Sequence, residues 1–173
     1  ALGQAAGSRA RPLDQAAYFS LPHFAWLKFI RRGLLDNREL RFPVGYYYED
    51  WPFHWELGLV ADSIMKLHGK WYGYRQRPAS ISASSGRKLL DQFAVQEMVL
   101  HRVVAHCNEA GARVLAIKVH ESFWTVLTRV DSELLPEAMA RARQVRLELK
   151  QACPAPSLSG RGAVMAKVLA LPA

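Results

Sequence analysis

Phe42-Pro43-Val44-Gly45-Tyr46-Tyr47-Tyr48-Glu49-Asp50-Trp51-Pro52-Phe53 is the stretch on which the reading of the fold turns. It starts as an aromatic, strand-like run, ends in two adjacent carboxylates, and gives way at once to a helical pattern. Asp50 reads as the N-cap of that helix. Trp51 and Pro52 fill the first turn, where proline's missing N–H does no harm. Phe53, Leu57, Val60, Ala61 and Ile64 then recur on one face at helical spacing, and Gly69 ends the unit.

On the N-terminal side, residues 24–30 (Phe-Ala-Trp-Leu-Lys-Phe-Ile) have the length and composition of a strand. Arg31 and Arg32 follow, and Asp36-Asn37 supplies a turn. Residues 1–17 read as a flexible lead-in punctuated by Gly3, Gly7 and Pro12. On the C-terminal side, residues 71–77 alternate as a second strand, Pro78 closes it, and the serines up to Gly86 form a polar loop. The rest is helical. Leu89, Phe93, Leu100, Val103, Val104 and Cys107 share a face, Gly111 breaks the chain, and residues 112–130 are apolar nearly all round. Pro136 opens a further helix with Ala138, Ala142, Val145 and Leu149 inward and Arg143, Arg146 and Lys150 outward. The expected division is a lead-in (1–17), a mixed α/β region (18–86), a helical region (87–153) and a tail (154–173) with an apolar patch over residues 164–171.

The chain has 173 residues, half of them hydrophobic, enough for one domain with its own core. Its 23 Lys and Arg against 15 Asp and Glu give +8, which favours anionic partners or is simply a solvated basic surface. Two cysteines make neither a disulfide framework nor a zinc motif, which suits a reducing compartment. No apolar run approaches the roughly 18 residues of a membrane span. The first residue is Ala1, so the expectation is a portion of a longer protein. The histidines lack metal-ligand spacing, and there is neither a Gly-rich phosphate loop nor a Gly-x-Ser-x-Gly frame.

Taken alone, Asp50 has two readings. A carboxylate at a helix N-terminus is held ionised by the free N–H groups, either as a plain cap or as a general base for a hydroxyl being consumed as a nucleophile.

Four pieces in order extend that reading: Trp26-Leu27-Lys28-Phe29-Ile30-Arg31-Arg32, then Leu40-Arg41-Phe42-Pro43, then Tyr48-Glu49-Asp50-Trp51-Pro52-Phe53, then Tyr72-Gly73-Tyr74-Arg75-Gln76-Arg77-Pro78-Ala79-Ser80-Ile81-Ser82. Together they resemble the second half of bacterial family-2 glycosyltransferases, inverting enzymes of GT-A fold that use sugar nucleotides to build envelope polysaccharides. The resemblance implies a partial GT-A, Rossmann-like α/β fold lacking its nucleotide-binding half, with a helical C-terminal extension. It makes Asp50 the catalytic base on an acceptor hydroxyl. It sets Glu49, Trp26, Lys28 and Trp51 beside a glycan or lipid-linked acceptor, and Arg75 and Arg77 on the donor diphosphate, a task that suits forked, permanently charged guanidinium groups.

The resemblance also implies a divalent cation, Mn or Mg, on the nucleotide-sugar donor. No two aspartates of this chain are two residues apart, so that cation is expected mainly on the half preceding Ala1. The implied location is the cytoplasm, at the inner face of the cell membrane. There the outer face of the 136–150 helix and the 164–171 tail would meet an anionic leaflet. The rival is a non-catalytic basic domain that binds a protein or nucleic acid. It lacks any nucleic-acid motif, and no nucleic-acid partner is expected.

Overall fold

The computed structural model describes residues 11–75, 86–153 and 156–171. The described residues open inside the expected lead-in with a strand β1 (Arg11–Leu13) and a helix α1 (Gln15–Phe19) whose N-cap Asp14 accepts the Ala17 N–H at 2.7 Å. A short helix α2 (Arg32–Asn37) and the longer α3 (Asp50–Val60) follow. Strand β2 (Ile64–Lys66) then pairs antiparallel with β1, Arg11 opposite Lys66 and Leu13 opposite Ile64. Four helices complete the chain: α4 (Asp91–Val103), α5 (Glu109–Leu127), α6 (Leu135–Ala152) and α7 (Gly160–Val168).

This architecture overturns the expected α/β, GT-A-like fold. The molecule is mostly helical, and the sheet among the described residues has only two strands. Neither expected strand forms among the described residues. Residues 24–30 coil into a single 3-10 turn at Ala25–Leu27, because Lys28 Nζ swings back to donate to the carbonyls of His23 (2.9 Å), Phe24 (2.8 Å) and Pro22 (3.4 Å). Residues 71–75 have the alternating pattern but no neighbouring strand to complete a ladder. Ile64 belongs to β2 rather than to the helix before it, which ends at Val60.

The helical reading of the C-terminal half fares better. Ala138, Ala142, Val145 and Leu149 of α6 are buried, with Pro136 in its first turn. Helix α5 forms the centre of the core, packing against α1, α6 and α7, while α3 packs on α4. Gly111 does not break the chain but lies in the first turn of α5, its N–H bonded to the Asn108 cap at 2.7 Å. Its missing Cβ makes room for the Phe19 ring, which a methyl there would meet at 3.1 Å. On its other side the same ring lies against Gly58 of α3. Phe19 is thus wedged between two glycines, and that wedge docks α1 onto both α3 and α5. The tail forms α7, which lays Met165 and Leu169 into the core.

Candidate functional site

The approach to Asp50 is set by backbone. Gly45 (φ 89°) and Tyr48 (φ 64°) both adopt left-handed conformations, and Tyr48 does so as a bulky residue immediately before Glu49-Asp50. Such a conformation costs on the order of 1–3 kcal/mol and persists only where surrounding contacts enforce it. Three contacts enforce it here. The Tyr47 N–H donates to Asp91 Oδ2 at 2.9 Å, Lys88 Nζ lies 4.7 Å over the Tyr47 ring, and Phe42 stacks on Phe53 with centroids 4.0 Å apart. The loop is therefore tied to the start of α4 and to α3 itself.

The cap expected at Asp50 falls one residue earlier. Glu49 occupies the cap position with helical φ and ψ and makes no side-chain cap bond, while Asp50 is the first helical residue. The Asp50 carboxylate is 15% exposed, and its Oδ1 lies 3.8 Å from His23 Nε2. Burial, reinforced by the neighbouring Glu49 charge, raises the carboxyl pKa to about 6, although Lys28 and its own backbone N–H pull the other way. Lys28 is itself desolvated and lowered to about 8, with the Asp50 charge opposing that fall.

His23 answers differently. Burial and the cations Lys28 and Lys118 lower its pKa to about 4. The Asp50–His23 approach meets the geometric limit for an ion pair, but an imidazole with this pKa is neutral wherever Asp50 is charged. At 3.8 Å it is also too far for a hydrogen bond. A neutral ring beside a carboxylate describes the pair better than a salt bridge does.

One turn along α3 from Asp50 lies His54, 1% exposed and stacked on Tyr18 with centroids 4.4 Å apart. Neither of its ring nitrogens has a hydrogen-bond partner, nor does Tyr18 Oη. The Phe19 backbone is near enough to favour the protonated ring slightly, yet its geometry makes no hydrogen bond. Burial dominates and, with Lys28, His23 and Lys118, lowers the His54 pKa to about 3. Burial likewise raises that of Tyr18.

The residues expected at the site divide into three groups. Asp50, Glu49 and Lys28 come together. Trp51 joins them as packing, being 8% exposed in the core with its ring edge-on to His23 at 6.0 Å. Trp26 lies on the adjoining surface, stacked between Phe24 (4.7 Å) and Tyr74 (5.3 Å), with Tyr72 at 6.0 Å. Arg75 is exposed just after Tyr74, and Arg77 lies outside the described residues. The reading of the residues passed over His23, His54, Tyr18 and Lys118. Of these, the i, i+4 spacing of Asp50 and His54 on one helix was a usable signal; the approach of His23 to Asp50 was not.

Among the described residues no three His, Cys, Asp or Glu side chains are grouped so as to hold a metal ion. No step below is routed through the implied divalent cation. No helix among the described residues is long and apolar enough to cross a membrane.

A scan against protein-family models finds no family that matches, and neither curated proteins nor solved structures give a match.

Proposed function

We propose that this chain supplies the acceptor side of a sugar-transfer reaction, with Asp50 as general base. The observation that carries the reading is Asp50 itself: a carboxylate outside the cap position, largely desolvated, with its pKa near 6 beside Lys28. A base of this strength is ionised at neutral pH yet can hold a proton briefly, which suits abstraction from a hydroxyl in the transition state. Asp50 takes the acceptor's hydroxyl proton as that oxygen bonds to the anomeric carbon. The bond from that carbon to the nucleoside diphosphate breaks on the opposite face, the leaving group keeps the electron pair, and the anomeric configuration inverts. Glu49 flanks the acceptor hydroxyl, while Arg75 meets the diphosphate.

The rival basic binding module loses much of its α6 surface. Arg143 donates to the Leu171 carbonyl at 3.4 Å, and the Nε atoms of Arg143 and Arg146 are buried. Of the three basic residues expected on that face, Lys150 alone is exposed.

The test is nucleoside diphosphate release and product anomeric configuration with sugar nucleotides, comparing wild type with Asp50→Asn. The expected result is an inverted product and a loss of about 10²–10⁴-fold in transfer by a folded variant. Normal transfer by Asp50→Asn, or no turnover of any donor by the wild type, rejects the assignment.

A further inference from the structure

Six of the large apolar side chains left in solvent are aromatic and lie in two segments of the chain. Phe24, Trp26, Phe29, Trp71, Tyr72 and Tyr74 come from two irregular segments that meet where Phe24, Tyr72 and Tyr74 stack about Trp26. Phe29 is 83% exposed and Trp71 56%, far beyond what isolated surface aromatics need. Between Phe24 and Leu35, and between Ser63 and Arg75, the sequence has no carboxylate at all. It has Arg31, Arg32, Lys66, Lys70 and Arg75 instead, all exposed. Among the described residues, Arg32 pairs with a neighbouring carboxylate, Asp36 at 3.4 Å, in a solvated i, i+4 contact.

We infer that this face is a membrane-surface contact whose partner is an anionic lipid leaflet. Trp and Tyr combine an apolar ring with a polar tip and settle at the level of lipid headgroups, while Phe29 can reach the acyl boundary. The Lys and Arg of the same two segments meet a continuous negative surface, each adding attraction that falls away within a Debye length. A protein partner would more often pair such charges with discrete carboxylates and disfavour lysine at the contact. The face adjoins the Asp50 cluster, since Lys28, which lies beside Asp50, also bonds the Phe24 carbonyl at 2.8 Å. The inference does not depend on the reaction proposed above, and its readout is binding.

The experiment is co-sedimentation of the full chain with vesicles of phosphatidylglycerol and phosphatidylcholine, against vesicles of phosphatidylcholine alone, at low and high salt. The wild type should sediment with the anionic vesicles and be released by salt. Phe29→Ser with Trp71→Ser should weaken binding about tenfold or more, and Arg31→Glu with Lys70→Glu by a similar factor. Both pairs are exposed, so circular dichroism should match the wild type. Lys150→Glu with Lys167→Glu makes the same charge change on α6 and α7 and should leave binding intact. The inference is overturned if the wild type stays in the supernatant because another polypeptide or a second copy covers these rings. It is equally overturned if the aromatic pair binds like wild type, or if the α6–α7 control loses as much as Arg31→Glu with Lys70→Glu.

Discussion

His23 Nε2 stands 3.8 Å from Asp50 Oδ1, and the carboxyl has the higher pKa of the two: about 6, against about 4 for the imidazole. The usual order of an aspartate and a histidine is inverted, so between these values a proton rests on Asp50 while His23 stays neutral. The cause is shared burial, which disfavours whichever form carries charge. Lys28 and Lys118 then add repulsion against a histidinium.

The first consequence is a pH profile. A base must be ionised, so transfer should fall as pH drops through about 6. Initial rates from pH 5 to 9 should rise through about pH 6 and level off above it. A profile flat down to pH 5 would remove Asp50 from the role.

A second consequence concerns stability. The folded-state pKa of Asp50 is raised above the ordinary 3.8. The folded state therefore binds more protons than the unfolded one between about pH 4 and 6, and stability falls as pH rises through that window. At neutral pH the ionised carboxylate costs on the order of 2–3 kcal/mol. Asp50→Asn should raise the urea midpoint at pH 7.5 and leave it nearly unchanged at pH 3.5. A variant less stable at pH 7.5 would mean that the carboxylate holds the fold together.

His54 works in the opposite direction with acid. Its folded pKa, about 3, lies below the ordinary 6.5, so the unfolded chain takes up the proton first and stability is lost as pH falls below about 6.5. Its ring also buries two nitrogens without partners. His54→Leu should stabilise by about 1 kcal/mol at neutral pH and by more at pH 5, read as denaturant midpoints. Destabilisation of similar size at both pH values would show that the stack on Tyr18 is worth more than the relief of those nitrogens.

Gly58→Ala tests the wedge at Phe19. The added methyl would lie 2.7 Å from two Tyr18 ring carbons and closer still to Phe19. Overpacking of this kind costs about 1–3 kcal/mol and should push α1 off α3. Thermal denaturation checks the cost. An unchanged midpoint would mean that α1 can move aside freely.

Much of the helical half was legible because its signals are local. The inward face of α6 follows from the spacing of Ala138, Ala142, Val145 and Leu149, and its start from Pro136. Residues 71–75 were misjudged as a strand because alternation in Trp71-Tyr72-Gly73-Tyr74 describes a strand equally well as an aromatic stack, and only a neighbouring ladder separates the two. Gly111 was read as a breaker because a glycine's use as space for a ring from another helix leaves no mark nearby in the sequence. Asp50, Glu49 and Lys28 were singled out by residue type and order, and the structure brings them near one another. His23 was not, since 27 residues separate it from Asp50 and their approach depends on the docking of α1 against α3.

The pairing of Arg11–Leu13 with Ile64–Lys66 has a kinetic meaning. It joins the two ends of the segment that carries α1, the Lys28 turn, the strained Tyr48 and Asp50, so these parts belong to one loop tied at its neck. Closing that loop is a single entropic event that grows only slowly with loop length. Every later contact inside it forms between groups already held near one another. If the neck forms early, the cluster around Asp50 assembles by short local searches, and a break at the three-residue ladder would slow the site's formation more than it lowers the stability of the helices beneath.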